Sequence, residues 1–367
     1  MILLNAGLRH GIANAAHELI RGAADQYEFI VISTALIDEL RPQVTFIRIP
    51  TPSRPYSLRW LMFYCLAGLR LLFVRADLIH TMAPTPLVPN RVDLATVLFS
   101  QVAYYQMIGR ATNVYERIKR ACASLIENRS YNPRRVRMLA ALSPGGKREL
   151  ESHHPYLPVV VTPHVLQSER FFPDAAVRTA TRAKLYVQEG DLVTCFVNNT
   201  YWHLKGLEIA IAGLACAAKS EPVLGTLWVV GAGPVNEFRK IASKYRIADK
   251  VRFLGPRGDI ADLYRGADIL VHPAAYETFS LVVHEAAASG LPIIATRTNG
   301  VEDLVQDGVA GILIERTVDA VADALMSLAC NPKMREKMGR NGRERALRFG
   351  PRGFVDSTLG AYRKLMG

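Results

Sequence analysis

Residues 268–296 read Asp268-Ile-Leu-Val-His272-Pro-Ala-Ala-Tyr-Glu277-Thr-Phe-Ser280-Leu-Val-Val-His-Glu285-Ala-Ala-Ala-Ser-Gly290-Leu-Pro-Ile-Ile-Ala-Thr296. A short β-branched run ends at His272-Pro273, a loop carries Glu277, and a helix is expected to begin near Phe279 or Ser280, with Ser280 as its side-chain cap. Glu277 then stands just ahead of a helix amino terminus at the carboxyl end of a strand, the edge where open α/β sheets bind ligands. Glu285 falls about a turn inside the helix, and helical side chains lean back toward the amino terminus. Taken singly, the first is an ordinary loop acid and the second an ordinary helix acid. Together with anion-seeking backbone amides, they suit one ligand that is both phosphorylated and hydroxylated.

Outward from this stretch, short apolar runs alternate with helix-period segments. Residues 192–197, 226–230, 251–254, 269–271, 293–295 and 311–314 read as strands, separated by helices at 207–219, 235–245, 260–264 and 281–289. A first series precedes them, with strands at 2–5, 29–33, 44–49, 78–81, 95–99 and 138–142 and helices at 13–23 and 115–128. Such alternation implies parallel sheets covered on both faces. Pro155, Pro158, Pro163 and Pro173 mark residues 155–173 as a linker. The fold class is therefore α/β, with two doubly wound domains facing a central cleft.

The first β–α turn, Asn5-Ala-Gly7-Leu-Arg-His-Gly11, offers a backbone approach and a helix amino terminus to a phosphate, which makes Gly11 a candidate donor-site residue. Gly231-Ala-Gly233-Pro234 only superficially resembles a dinucleotide fingerprint, because Asn236 stands where the third glycine belongs. A nicotinamide enzyme is not expected.

The chain has 367 residues, half of them hydrophobic and 21% charged, which excludes disorder as its main state. No apolar run reaches the ~20 residues of a membrane span; the nearest, Trp60–Val74, is interrupted by Arg70. Met1-Ile-Leu-Leu4 carries no basic leader, so a cytoplasmic location is expected, peripheral on the inner membrane face of a bacterium. The five cysteines have no redox or zinc spacing and are expected to be buried free thiols. His153-His154 is expected to be a loop pair and His284 a packed residue, with no metal site.

Net charge is +12, and residues 1–165 hold 19 Lys and Arg against 11 Asp and Glu. Arg110–Arg148 supplies the whole of that excess, with Tyr115 and Tyr131 inside it and Tyr104 and Tyr105 just ahead. A solvated helix face, an anionic lipid surface and a nucleic acid each suit such a window. No nucleic-acid motif accompanies it, so the partner expected through Arg110–Arg148 is a membrane surface and no nucleic acid.

The Glu277-x7-Glu285 spacing followed by Ala286–Thr296 resembles the retaining glycosyltransferases of family 4, which have the GT-B fold of two Rossmann-like domains. The likeness continues in Leu227-Trp-Val-Val-Gly231-Ala-Gly-Pro, Val251-Arg-Phe-Leu-Gly255 and Gly266-Ala-Asp268-Ile, and is looser over the first 165 residues. It implies an acceptor-binding domain of residues 1–165 plus 350–367 and a nucleotide-sugar-binding domain of 166–349. Glu277 would sit beside the transferred sugar, Glu285 would bond the ribose hydroxyls, and the amides of Phe279, Ser280 and Leu281 would hold the distal phosphate and sugar. At Ser280 the family more often has glycine. Lys205, in Asn198-Asn199-Thr-Tyr-Trp-His-Leu-Lys205-Gly206, matches the lysine of the pair that grips the diphosphate, whereas Asn199 falls where many members carry arginine. Arg257 or Arg9 is a candidate to replace that charge. Many members also place a histidine after the strand at 95–99; here Leu98 and Gln101 occupy the region, and Gln101 hydrogen-bonds but cannot exchange a proton.

The resemblance implies a metal-independent hexosyltransferase without a cofactor, using a UDP- or GDP-sugar and an acceptor glycan or glycolipid of the cell envelope. The alternatives are a nucleotide-sugar epimerase and a non-catalytic nucleotide-sugar-binding or membrane-binding protein.

Overall fold

The computed structural model describes residues 1–7, 11–82, 91–109, 113–188, 190–199, 201–220 and 224–367. Contacts divide them into two compact units, Met1–Val165 with Pro351–Gly367, and Leu166–Gly350.

The first unit runs α1 (Gly11–Ala23), β1 (Phe29–Ser33), β2 (Val44–Arg48), α2 (Tyr56–Leu71), β3 (His80–Thr81), β4 (Val92–Val97), α3 (Gln101–Met107), α4 (Val114–Ser130), β5 (Val136–Ala141), α5 (Pro144–His153) and β6 (Val159–Val161). Parallel pairs β1–β2 and β3-β4-β5-β6 are joined by Ile2, which bridges to both Ile32 and Thr81. The strand expected at 2–5 is thus reduced to isolated bridges. The expected linker at 155–173 contains β6, whose flanking Pro158 and Pro163 are tolerated because it lies at a sheet edge. The apolar stretch at 60–74 is an amphipathic helix, burying Phe63, Tyr64 and Ala67 while Leu61 and Leu69 face out. Among the described residues no helix is long and apolar enough to cross a membrane.

The second unit runs α6 (Ala175–Lys184), β7 (Leu192–Val197), α7 (Leu207–Ala217), β8 (Leu224–Val230), α8 (Val235–Lys244), β9 (Val251–Gly255), α9 (Ile260–Gly266), β10 (Ile269–His272), α10 (Leu281–Ala288), β11 (Ile293–Thr296), α11 (Val301–Leu304), β12 (Gly311–Ile314), α12 (Val318–Cys330) and α13 (Pro332–Ala346). Its sheet is parallel in the order β12-β11-β10-β7-β8-β9. Successive residues feed opposite faces, as strand geometry requires. Phe196, Leu227, Val229, Ile269 and Val271 pack with α7 and α12, while Val193, Cys195, Trp228, Val230 and Leu270 pack with α9 and α10. Both faces are buried, which explains why these strands read as continuous apolar runs. The order reverses between β7 and β10, a switch point that opens a crevice at their carboxyl ends.

The last helix, α14 (Pro351–Met366), belongs to the first unit. Phe354, Leu359 and Tyr362 join Leu19 and Ile20 of α1 in one core, and the Tyr362 hydroxyl lies 2.8 Å from His80 Nδ1.

Of the cysteines, all free, only Cys195 is buried. Cys65 is half-buried, and Cys122, Cys216 and Cys330 are exposed, contrary to the expectation of buried thiols. Of the pair expected in a loop, His153 instead ends α5, and His154 follows it as the C-cap. His154 is buried, with Nε2 3.5 Å from Glu127 and its ring edge-on to Tyr131.

Candidate functional site

Lys205 follows β7 and Glu277 follows β10, so the switch point delivers one to the other. Lys205 Nζ lies 2.7 Å from Glu277 Oε1 and donates to the Tyr276 carbonyl at 3.0 Å. The two loops are also joined through the backbone, since the Ala275 amide donates to the Leu204 carbonyl at 2.8 Å. Gly206 makes this approach possible. Its φ is +80°, and a Cβ there would stand 2.2 Å from the Pro273 carbonyl oxygen. Arg316 ties the same corner, donating to the Pro273 and His203 carbonyls.

A third group completes the cluster. His272, fully buried at the end of β10, places Nε2 2.7 Å from Glu277 Oε1 and 3.3 Å from Ser280 Oγ. Burial alone would push the Glu277 carboxyl up. The hydrogen bond from His272 and the charge of Lys205 outweigh it and hold the group at about 2. Glu277 is therefore a fixed anion with two donors on one oxygen.

Ser280 stands at the start of α10 but does not cap it through its side chain. Its φ is +61°, a left-handed conformation, and its hydroxyl is turned toward His272. The expectation of a serine cap fails because that backbone cannot present Oγ to the first turn. It also explains why a glycine suits the position. The Ser280 carbonyl accepts the amides of Val283 and His284, while amides at the head of any helix have no carbonyl a turn earlier. Phe279 is buried, stacked on His284 at 3.9 Å and edge-on to Phe349. Leu281 opens the helix. His284 is a packed residue, as expected.

Glu285 lies one turn further along α10, where the Tyr264 hydroxyl donates to its Oε2 at 3.4 Å. Burial raises its carboxyl to about 7, against the opposing pull of Arg170 and the Tyr264 hydroxyl.

The remaining candidates are dispersed. Asn199 Oδ1 accepts the Ala232 amide at 3.3 Å, at a corner where Gly231 (φ +123°) brings its backbone against the Asn198 carbonyl. Arg257 is occupied by Asp259, with Nε 2.7 Å from Oδ1, so its charge is already matched. Arg9 lies outside the described residues. Gly11 opens α1 with φ +57° in the first unit. Gln101 opens α3 in the same unit, its amide held by buried Glu127, which also takes the Val102 amide and the Ser100 hydroxyl. Among the described residues no group of three His, Cys, Asp or Glu is placed to hold a metal ion.

Sequence reasoning missed His272, Tyr264 and Arg170. His272 was visible as the last residue of a strand two positions from the loop. Arg170 fell inside the segment read as a linker, yet its guanidinium bonds the Gly258 carbonyl at 2.9 Å and its charge reaches Glu285.

Residues 177–345 match the family model of the glycosyl transferases group 1. The D-inositol 3-phosphate glycosyltransferase of Saccharomonospora viridis is 34% identical over 210 residues, covering 54% of this chain and 48% of that protein. The protein of the same description from Kribbella flavida is 34% identical over 198 residues, covering 51% and 46%. The chain thus spans about half the length of the curated relatives it matches. Among solved structures, WaaG, a glycosyltransferase involved in lipopolysaccharide biosynthesis, superposes with a TM-score of 0.78 at 20% identity, covering 94% of each chain. Sucrose-phosphate synthase from Thermosynechococcus elongatus gives 0.78 at 21% identity over 99% of this chain and 98% of that one. Anabaena Alr3699/HepE in complex with UDP-glucose gives 0.73 at 17% identity, again over 99% and 98%. The fold is that of the GT-B glycosyltransferases, with two Rossmann-like domains.

Proposed function

Because the second unit carries a domain of the group 1 glycosyltransferases, spanning residues 177–345, we propose that the protein is a retaining, metal-independent hexosyltransferase of the family 4 kind. The observation that carries this reading is the Lys205–Glu277–His272 cluster at the switch point, next to the head of α10 and one turn from Glu285. In this reading the second unit binds a UDP- or GDP-sugar. Lys205 and the amides of Phe279, Ser280 and Leu281 neutralise the diphosphate as it leaves, which is the charge that most needs stabilising. Glu277, held anionic, faces the positive charge that develops at the anomeric carbon. Glu285 accepts the ribose hydroxyls, and Arg170 supplies the second cation that Asn199 does not. The complex of Anabaena Alr3699/HepE with UDP-glucose supports a uridine donor.

The acceptor belongs to the first unit, where Gln101 offers a hydrogen bond at the head of α3. A cell-envelope glycolipid is favoured by α4, whose Tyr115, Ile118, Cys122 and Leu125 follow one another at helical spacing and are all exposed, flanked by Arg117, Lys119 and Arg129. An apolar stripe bordered by cations suits an anionic lipid surface.

The first test is a thermal-shift panel of uridine, guanosine, adenosine and thymidine diphosphates without metal, on the wild type and Glu285→Ala. A nucleotide at a hundred times its Kd adds about 2.7 kcal/mol to the folded state. One base is expected to raise the wild-type midpoint and to lose that effect in the variant. A flat panel overturns the donor site. Turnover with the stabilising nucleotide's sugars, in the presence of EDTA, then reports the anomeric configuration of the product.

A further inference from the structure

Glu277 has two oxygens, and among the described residues the contacts made to it reach one of them. Lys205 Nζ and His272 Nε2 both lie 2.7 Å from Oε1, and among the described residues no hydrogen bond or ion pair reaches Oε2. A carboxylate only accepts, so the contact with His272 requires a proton on Nε2. On the far side of the ring, Nδ1 is buried and has no hydrogen-bond partner among the described residues. A proton there would be a buried donor without an acceptor, whereas a bare Nδ1 in apolar surroundings is the lesser burden. The ring is itself fixed. It is fully buried, it ends a strand paired through His272 to Ala295, and its Nε2 is within reach of Ser280, whose left-handed backbone turns Oγ toward it.

We infer that His272 is a positioning residue for the transfer reaction, held with a proton on Nε2, which together with Lys205 pins Glu277 through Oε1 and presents Oε2 alone to the sugar. This rests on the glycosyltransferase reading for its chemistry, but not for its geometry. Lys205 has a flexible stem and has to serve the diphosphate as well. When the leaving group draws on that ammonium, His272 keeps the carboxylate from swinging with it. The division of labour is that Lys205 supplies charge and His272 supplies direction.

Two variants separate this role from mere packing. Glutamine places its side-chain nitrogen where Nε2 stands, whereas phenylalanine fills the volume and donates nothing. His272→Phe is expected to lower kcat for donor turnover about 100-fold, the scale set by losing alignment of a reacting group, with KM for the nucleotide sugar unchanged. His272→Gln is expected to recover all but about tenfold. Long-range 1H–15N spectra of the imidazole, recorded on the whole unliganded protein, are expected to show the proton on Nε2. A ring with no proton on Nε2 overturns the inference, as does a folded His272→Phe protein with wild-type kcat. Equal losses in the two variants also overturn it, since packing alone would then be the cause. A wild-type protein that turns over no nucleoside-diphosphate sugar defeats the glycosyltransferase reading, and the tautomer measurement still decides the claim about His272.

Discussion

Replacing Lys205 by methionine tests the electrostatics of the site without reference to any substrate. Glu277 is held at about 2 against an ordinary 4.5, a difference worth about 3 kcal/mol in favour of the charged carboxylate. The side chains of the pair are only 15% and 13% exposed, so solvent screening removes little of it. His272 remains in the variant and keeps a share, which leaves a cost of about 2 kcal/mol at pH 7 for Lys205→Met. For a unit the size of the second, that is a fall of roughly 4–8 °C in Tm. The pH dependence follows from the direction of the shift. A carboxyl lowered on folding lends stability that is complete above 4.5 and is lost as pH falls toward 2. The gap between wild type and variant, read by calorimetry, is therefore full at pH 7 and narrows below pH 4.5. In a Glu277→Gln background the same lysine replacement is expected to cost much less, because the charge it served is gone. A gap that stays constant to pH 3, or a lysine replacement equally costly in both backgrounds, refutes the claim that Lys205 acts on Glu277.

Glu285 behaves in the opposite sense. Its carboxyl is raised to about 7 by burial, so stability falls as pH rises from 4.5 through 7, and Glu285→Gln is expected to melt higher than wild type at pH 8 by about 2 kcal/mol, allowing for partial exposure, yet equal to it at pH 4; a variant with the wild-type pH slope contradicts this. Gly206→Ala forces a Cβ to within 2.2 Å of the Pro273 carbonyl at φ +80° and is expected to cost more than about 3 kcal/mol and to abolish nucleotide binding, whereas Gly360→Ala, where a Cβ meets nothing within 4 Å, stabilises α14 by up to about 1 kcal/mol. In flotation with anionic vesicles, Ile118→Asp with Leu125→Asp is expected to release the protein from lipid at 0.1 M salt while leaving its melting temperature unchanged, since both side chains are exposed; undiminished flotation removes α4 as the contact.

Much of the second unit was legible because burial on both faces writes itself into composition. β7 at Leu192–Val197 and β12 at Gly311–Ile314 have the expected ends, as short apolar runs bounded by polar or glycine residues should. The first unit was harder to read. β6 hides between two prolines, and the opening strand contributes only Ile2 to the sheet. Within the site, the short spacing from a loop into the helix that follows it relates Glu277 to Glu285, but no local pattern relates Lys205 to His272, which converge on Glu277 only because β7 and β10 are neighbours across a reversal of strand order. Glu127 shows the same limit. In the sequence it is one of two acids in a basic window. In the fold it is a buried anchor for the first turn of α3.

The return of α14 to the first unit has a consequence for how the chain is made. Residues 166–350 are continuous, so the second unit has every contact it needs before the last helix exists. The first unit, although it begins the chain, lacks Phe354, Leu359 and Tyr362 until the end, and the apolar side of α1 that they cover stays open in the meantime. An apolar flank left open in this way is where premature association begins.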